Sequence, residues 1–106
     1  MNVGKQRAIE FIDKLESTLE NVDTNNIVEN AFNSYNEKEY LENLIKEARE
    51  LIKYNEWGIA LENTIDNLLE VNYKLDDDLI TSAVDALKVS KMFDETILNH
   101  LEKMKK

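Results

Sequence analysis

Apolar residues recur at steps of three and four along nearly the whole chain. Ala8, Phe11, Ile12, Leu15, Leu19 and Val22 form a first stripe, the spacing of a helix with one buried face. The run Asp23 to Asn26 breaks it with residues that favour caps and turns. A shorter helix is predicted next, with Ile27, Val28, Ala31, Phe32 and Tyr35 on one side. Asn36, with Glu39 three residues on, reads as an N-cap, opening a long helix that carries Tyr40, Leu41, Leu44, Ile45, Ala48, Leu51 and Ile52. Asn55 follows as a residue tolerant of the left-handed conformation that closes helices.

The next stripe is Trp57, Leu61, Ile65, Leu68, Leu69 and Asn72. The acids of "KLDDD" suit a helix first turn, where they complement the dipole, and Leu79, Ile80, Ala83, Val84 and Leu87 follow on one face. After a break at 90–94, Ile97, Leu98, Leu101 and Met104 mark a last helix, closed by the cations of "KMKK". Short links make sequential helices antiparallel neighbours. The pattern therefore predicts an all-α fold, a compact bundle of five or six short antiparallel helices in one domain, 1–106.

Composition agrees. The chain has 106 residues, no proline and two glycines, Gly4 and Gly58, too few for an all-β domain rich in tight turns. There is no cysteine, which excludes disulfides, thiolate metal sites and a cysteine nucleophile. The N-terminal residues bring charges at once, without the apolar core of a signal peptide, and no apolar run nears the roughly 20 residues that span a bilayer. The expectation is a cytoplasmic protein with no membrane association.

Charge sharpens the picture. The 22 acids outnumber the 13 bases, for a net charge of −9. Between Tyr54 and Asp78 stand seven acids and one base, Lys74, so that segment holds −6 of the total. Such a surface repels phosphate backbones, which argues against nucleic acid as a partner. It attracts and steers a basic protein, although acidity also serves solubility alone.

Catalytic templates fail on inventory. The one histidine, His100, has no second His or Cys partner for zinc, and a surface or capping role suits it better. No Gly-rich phosphate loop exists. Asp76 to Asp78 start like a calcium loop, yet Ile80 stands at the third ligand position and no glycine follows at the sixth. Glu62 and Asp66 sit one turn apart without any sign of a substrate pocket.

On a helical wheel at about 100° per residue, Glu62, Asp66 and Glu70 form an acidic rail along one border of the Trp57–Leu69 apolar arc. Like charges at i, i+4 each cost a helix roughly 0.2–0.5 kcal/mol. A partner's Lys or Arg would relieve that cost. So would Lys46, Arg49 or a helix N-terminus of the same chain. Trp57 reads as a core anchor at a helix start, and Gly58 as a residue that lets a neighbouring backbone approach closely.

The stretch "EWGIALENTIDNLLE" resembles the signature of MafI-type immunity proteins of bacterial polymorphic-toxin systems, G-x-A-L-E followed by a hydrophobic pair and D-x-L-x-E. Gly58, Ala60, Leu61, Glu62, Asp66, Leu68 and Glu70 carry the match, and the flanks from Leu51 to Met92 are similar as well. Thr64-Ile65 replaces the Leu-Cys pair of that pattern. The resemblance implies a small, non-catalytic helical protein that binds and neutralises the C-terminal domain of a cognate toxin, a nuclease such as an EndoU-like RNase. A basic nuclease cleft would complement the acidic rail. The partner-binding candidates are Glu56, Trp57, Glu62, Asp66, Glu70, Tyr73, Asp76, Asp77 and Asp78. No catalytic residue, metal or cofactor is expected, and the free protein should be a monomer or weak homodimer. The alternative is a helical adaptor or regulator with an unrelated partner.

Overall fold

The first helix begins where Asn2 accepts the Lys5 backbone N–H on its side-chain oxygen (3.1 Å), closing one of the open donors of a helix start. A computed structural model describes residues 2–92 and 94–106. Within it α1 runs Val3–Ser17 and buries Ala8, Phe11, Ile12 and Leu15 completely. The stripe continues into a 3-10 turn, Thr18–Asn21, where Leu19 and then Val22 are only partly covered. Asp23 accepts the Asn25 N–H (2.8 Å), so the polar break acts as a turn built on its own side chain.

The next segment corrects the all-helical expectation. Residues 27–36 form a β-hairpin: β1 (Ile27–Glu29) and β2 (Ser34–Asn36) pair antiparallel, with Val28 opposite Tyr35. The cause is local. Asn30 turns its side-chain oxygen onto the N–H groups of Phe32 and Asn33 (2.8 Å each), while its own N–H meets the Asn33 carbonyl (3.0 Å). Asparagine thereby offers the backbone partners that a helix would have used, and β-branched Ile27 and Val28 fit the strand. The expected apolar side does not exist: Ile27 is 60% and Phe32 90% exposed. The fold is thus mostly α, with five α-helices and a small two-stranded element among the described residues.

Asn36 both ends β2 and caps α2 (Glu37–Lys53), accepting the Glu39 N–H at 3.1 Å. The helix buries Leu41, Leu44, Ile45, Ala48 and Ile52. α3 (Trp57–Glu70), α4 (Asp77–Val89) and α5 (Glu95–Lys103) follow. Asp76 caps α4 and Asp94 caps α5 through their carboxylates. Of the break expected over 90–94, Phe93 lies outside the described residues.

α2, α3 and α4 end alike. Asn55, Asn72 and Lys91 take φ of 64°, 53° and 59°. The following N–H groups of Glu56, Tyr73 and Met92 reach back to Leu51, Leu68 and Leu87 (2.8–2.9 Å), the Schellman pattern that satisfies last-turn carbonyls. Asn72 is therefore a turn residue beyond α3 and not a member of its apolar arc. Leu98 is likewise exposed at 37% and not part of the inward stripe of α5.

α1 packs against α2, α3 and α4 at once, and these helices supply most of the core. α1 and α4 run antiparallel: Lys14 pairs with Asp78 (3.0 Å) at one end, and Gly4 lies beside Ser90 at the other. α2 and α3 also run antiparallel across residues 54–56, and the Tyr40 hydroxyl donates to the Asn67 carbonyl (2.9 Å). The C-terminal residues close the bundle. Leu75 donates to the Met104 carbonyl (2.6 Å) and accepts from Lys106 (3.1 Å), which ties the α3–α4 connection to the end of α5.

Candidate partner-binding surface

α3 carries the acidic rail because the side turned from the core bears Glu62, Asp66 and Glu70, with one apolar residue, Ile59, among them. Ala60, Leu61, Thr64, Ile65 and Leu68 are buried, whereas Ile59, Glu62, Asp66 and Glu70 are exposed. Thr64 sits in the core with its hydroxyl donated to the Ala60 carbonyl (2.7 Å), so a polar side chain is accommodated where an apolar one was anticipated. No base of the chain meets Glu62 or Asp66 among the described residues. Arg49 turns the other way and binds Asp13 and Glu16 of α1 (2.9 Å each). Burial weakens its charge, but those two hydrogen-bonded carboxylates outweigh that and hold the guanidinium pKa above its ordinary value. Among the described residues, Glu70 alone of the rail has a side-chain hydrogen bond, from Asn30 Nδ2 in the hairpin turn (3.0 Å).

The other candidates separate by what they touch. Asp76 is committed to capping α4 and Asp78 to Lys14, which leaves Asp77 as the acid of that triplet with no bond inside the chain among the described residues. Glu56 is exposed and precedes α3 without a side-chain cap. Tyr73 is half-buried, and its hydroxyl donates to Glu37 (3.1 Å). Burial first, then the Glu37 charge, pushes its pKa well above the ordinary phenol value. Trp57 is a packing residue: its ring lies against Gly4.

Gly58 does not have the role assigned to it by sequence. Among the described residues a Cβ there would meet only Met92 Sδ at 3.5 Å, an ordinary contact. The close approach occurs at Gly4, where a Cβ would stand 2.6 Å from Trp57 Cη2 and 2.8 Å from Cζ3. The sequence signal for this was slight, since Gly4 sits in a first turn where any small residue would pass.

Sequence reasoning also missed a groove of about 420 Å³ between β2, α2 and α3. Tyr35 and Tyr40 form its aromatic wall, with ring centroids 5.0 Å apart and planes tilted by 41°. Glu39, Asn43 and Glu47 lie along its rim, one helical turn apart, and Asn67 closes it from α3. Burial chiefly, then Glu70, Tyr35 and Glu47 in that order, raises the Tyr40 pKa. Negative charge therefore faces Tyr40 from two sides, α2 and α3. Only the tertiary fold reveals it, because its walls come from a hairpin that the periodicity read as helix.

Among the described residues, no group of three or more His, Asp or Glu side chains is placed to hold a metal ion. No helix among the described residues is long and apolar enough to cross a membrane. The His100 Nδ1 is buried without a hydrogen-bond partner among the described residues, on the inner side of α5. Comparison with protein-family models, curated proteins and solved structures finds no match to this chain.

Proposed function

We propose that this chain is a non-catalytic immunity-type protein, which binds a basic toxin domain in the cytoplasm of the producing cell and blocks it by stoichiometric association. The observation that carries the reading is the outer face of α3. Glu62 and Asp66 stand one turn apart in solvent, with no base of the chain turned toward them among the described residues. Such a rail costs the isolated helix a little and gains most when a cationic surface arrives. The resemblance of Gly58 to Glu70 to the MafI-type pattern supplies the nature of the partner, a nuclease-like toxin domain. Ile59, 56% exposed beside the rail, adds an apolar contact of the kind found within protein interfaces.

The test is coexpression. Cells making the cognate toxin domain should survive when this protein is present and die without it, and the purified pair should form a one-to-one complex. Survival unaffected by coexpression, with no complex, would overturn the reading. Charge reversal at Glu62, Asp66 and Asp77 together should slow association and flatten its salt dependence.

The second reading, an adaptor with an unrelated partner, is favoured by one observation: Phe32 and Ile27 are largely exposed on the hairpin. Analytical ultracentrifugation separates the cases. A tight homodimer would give those side chains a partner in a second copy, whereas a monomer keeps them for another protein.

A further inference from the structure

We infer that the groove between the hairpin and α2 is where a basic partner protein inserts an arginine side chain, laid on the Tyr35–Tyr40 pair between the carboxylates of Glu39 and Glu47. The inference rests on the immunity-type reading for the nature of the partner. Four features converge on one occupant.

The groove, about 420 Å³ and open to solvent along one side, has room for a long side chain entering from a surface. Its wall is aromatic, and a guanidinium is held by an aromatic face through the ring quadrupole and by stacking of the two planes. Its rim is anionic. Glu39 and Glu47 are exposed, neither has an ion pair or side-chain hydrogen bond among the described residues, and they stand about 12 Å apart along α2 at 1.5 Å per residue. Glu70 adds its charge from α3, as its influence on Tyr40 reports. A phosphate or carboxylate ligand would be repelled by the same groups, so the occupant is a cation.

That the cation belongs to a protein follows from what surrounds it. Phe32, 90% exposed at the hairpin turn, precedes the groove-lining strand by two residues and offers an apolar contact that a small cation would not use. Asn30 of the same turn bonds Glu70 (3.0 Å), so the hairpin is joined directly to the end of the acidic rail. Groove, hairpin turn and rail are therefore parts of one continuous surface. Arginine is favoured over lysine because a planar fork stacks on tyrosine while reaching carboxylates, whereas an ammonium is a compact, strongly hydrated charge.

The test is a titration of the full, ¹⁵N-labelled chain with an acetylated, amidated Gly-Arg-Gly-Arg-Gly peptide, read by two-dimensional NMR. Resonances of Tyr35, Tyr40, Asn43 and the Asn67 side-chain amide should shift. The citrulline counterpart, of the same shape but neutral, should leave them in place. Glu39→Gln with Glu47→Gln should weaken binding at least tenfold, and Tyr35→Leu should erase the preference for the arginine over the lysine peptide. A control pair of exposed acids that do not line the groove, Glu20→Gln and Asp85→Asn, should change it less than threefold. Equal loss in both double variants would make the attraction a property of net charge and overturn the inference. So would the small cation agmatine binding no more weakly than the peptide, which would make the groove a metabolite site, and so would a spectrum that does not respond. The titration contains no toxin, so its failure is distinguishable from failure of the coexpression experiment.

Discussion

Gly4 and Trp57 meet at the starts of α1 and α3, with so little space between them that a single methyl group on Gly4 would stand 2.6 Å from the indole ring. The contact fixes where α3 begins relative to α1, and Ser90, at the end of α4, closes the same corner. Gly4→Ala should destabilise the protein by about 1–3 kcal/mol, the range for overpacking a filled site. Gly58→Ala should be neutral or stabilising by up to about 1 kcal/mol, because it removes a flexible residue from a helix without a clash. Urea unfolding followed by Trp57 fluorescence reads both, and equal effects would contradict the packing described.

Lys91 ends α4 in a left-handed conformation, φ 59°, that a lysine side chain disfavours. Lys91→Gly should raise stability by roughly 1 kcal/mol, and the thermal midpoint should rise with it. Asn72→Gly should gain less, since asparagine already tolerates this conformation.

The rail sets stability against the proposed function. Asp66→Lys replaces two like-charge neighbours, Glu62 and Glu70, with two opposite-charge pairs on an exposed face. It should stabilise the protein by roughly 0.5–1 kcal/mol at low salt, an effect that fades as salt screens it. If the rail meets a basic toxin domain, the same variant should bind that domain more weakly. Denaturation and binding measured on one preparation would show the two effects with opposite sign.

Tyr40 and Tyr73 both have pKa values raised in the folded state. Each phenol is neutral when protonated, so the fold prefers the protonated form. The stability they contribute is complete below the unfolded tyrosine pKa near 10 and is lost as pH climbs through the folded value. Urea midpoints should therefore fall above about pH 10. Tyr73→Phe should cost about 0.5–1.5 kcal/mol at neutral pH, through the lost bond to Glu37. It should also make the alkaline decline shallower; an unchanged decline would assign it to other groups.

Much of the helical framework was legible along the chain. The stripes of α1, α2 and α4 were placed correctly because burial on one side of a helix imposes its period on the sequence. The cap at Asn36 was legible because the hydrogen bond is made within three residues, and the acids of Asp76 to Asp78 marked the start of α4 through the helix dipole. The hairpin was not. Ile27, Val28 and Tyr35 fall at spacings that either a short helix or two strands could use, and the decision lay in the side chain of Asn30. Asn72 misled for a related reason: it continues the helical spacing four residues past Leu68, yet it is the residue at which the chain turns back.

The sequence by itself determined that the chain is mostly helical, acidic and free of cysteine chemistry, and that Glu62, Asp66 and Glu70 share a helix border. These follow from period, composition and local hydrogen bonds, which act within a few residues. Tertiary structure decided the rest: that Gly4 rather than Gly58 is the tight glycine, that Arg49 of α2 pairs with Asp13 and Glu16 of α1 and leaves Glu62 and Asp66 without a base among the described residues, and that Tyr35 meets Tyr40 over a negative groove. Each depends on which elements pack together, because a close approach, an ion pair and a groove are formed by residues from distant parts of the chain.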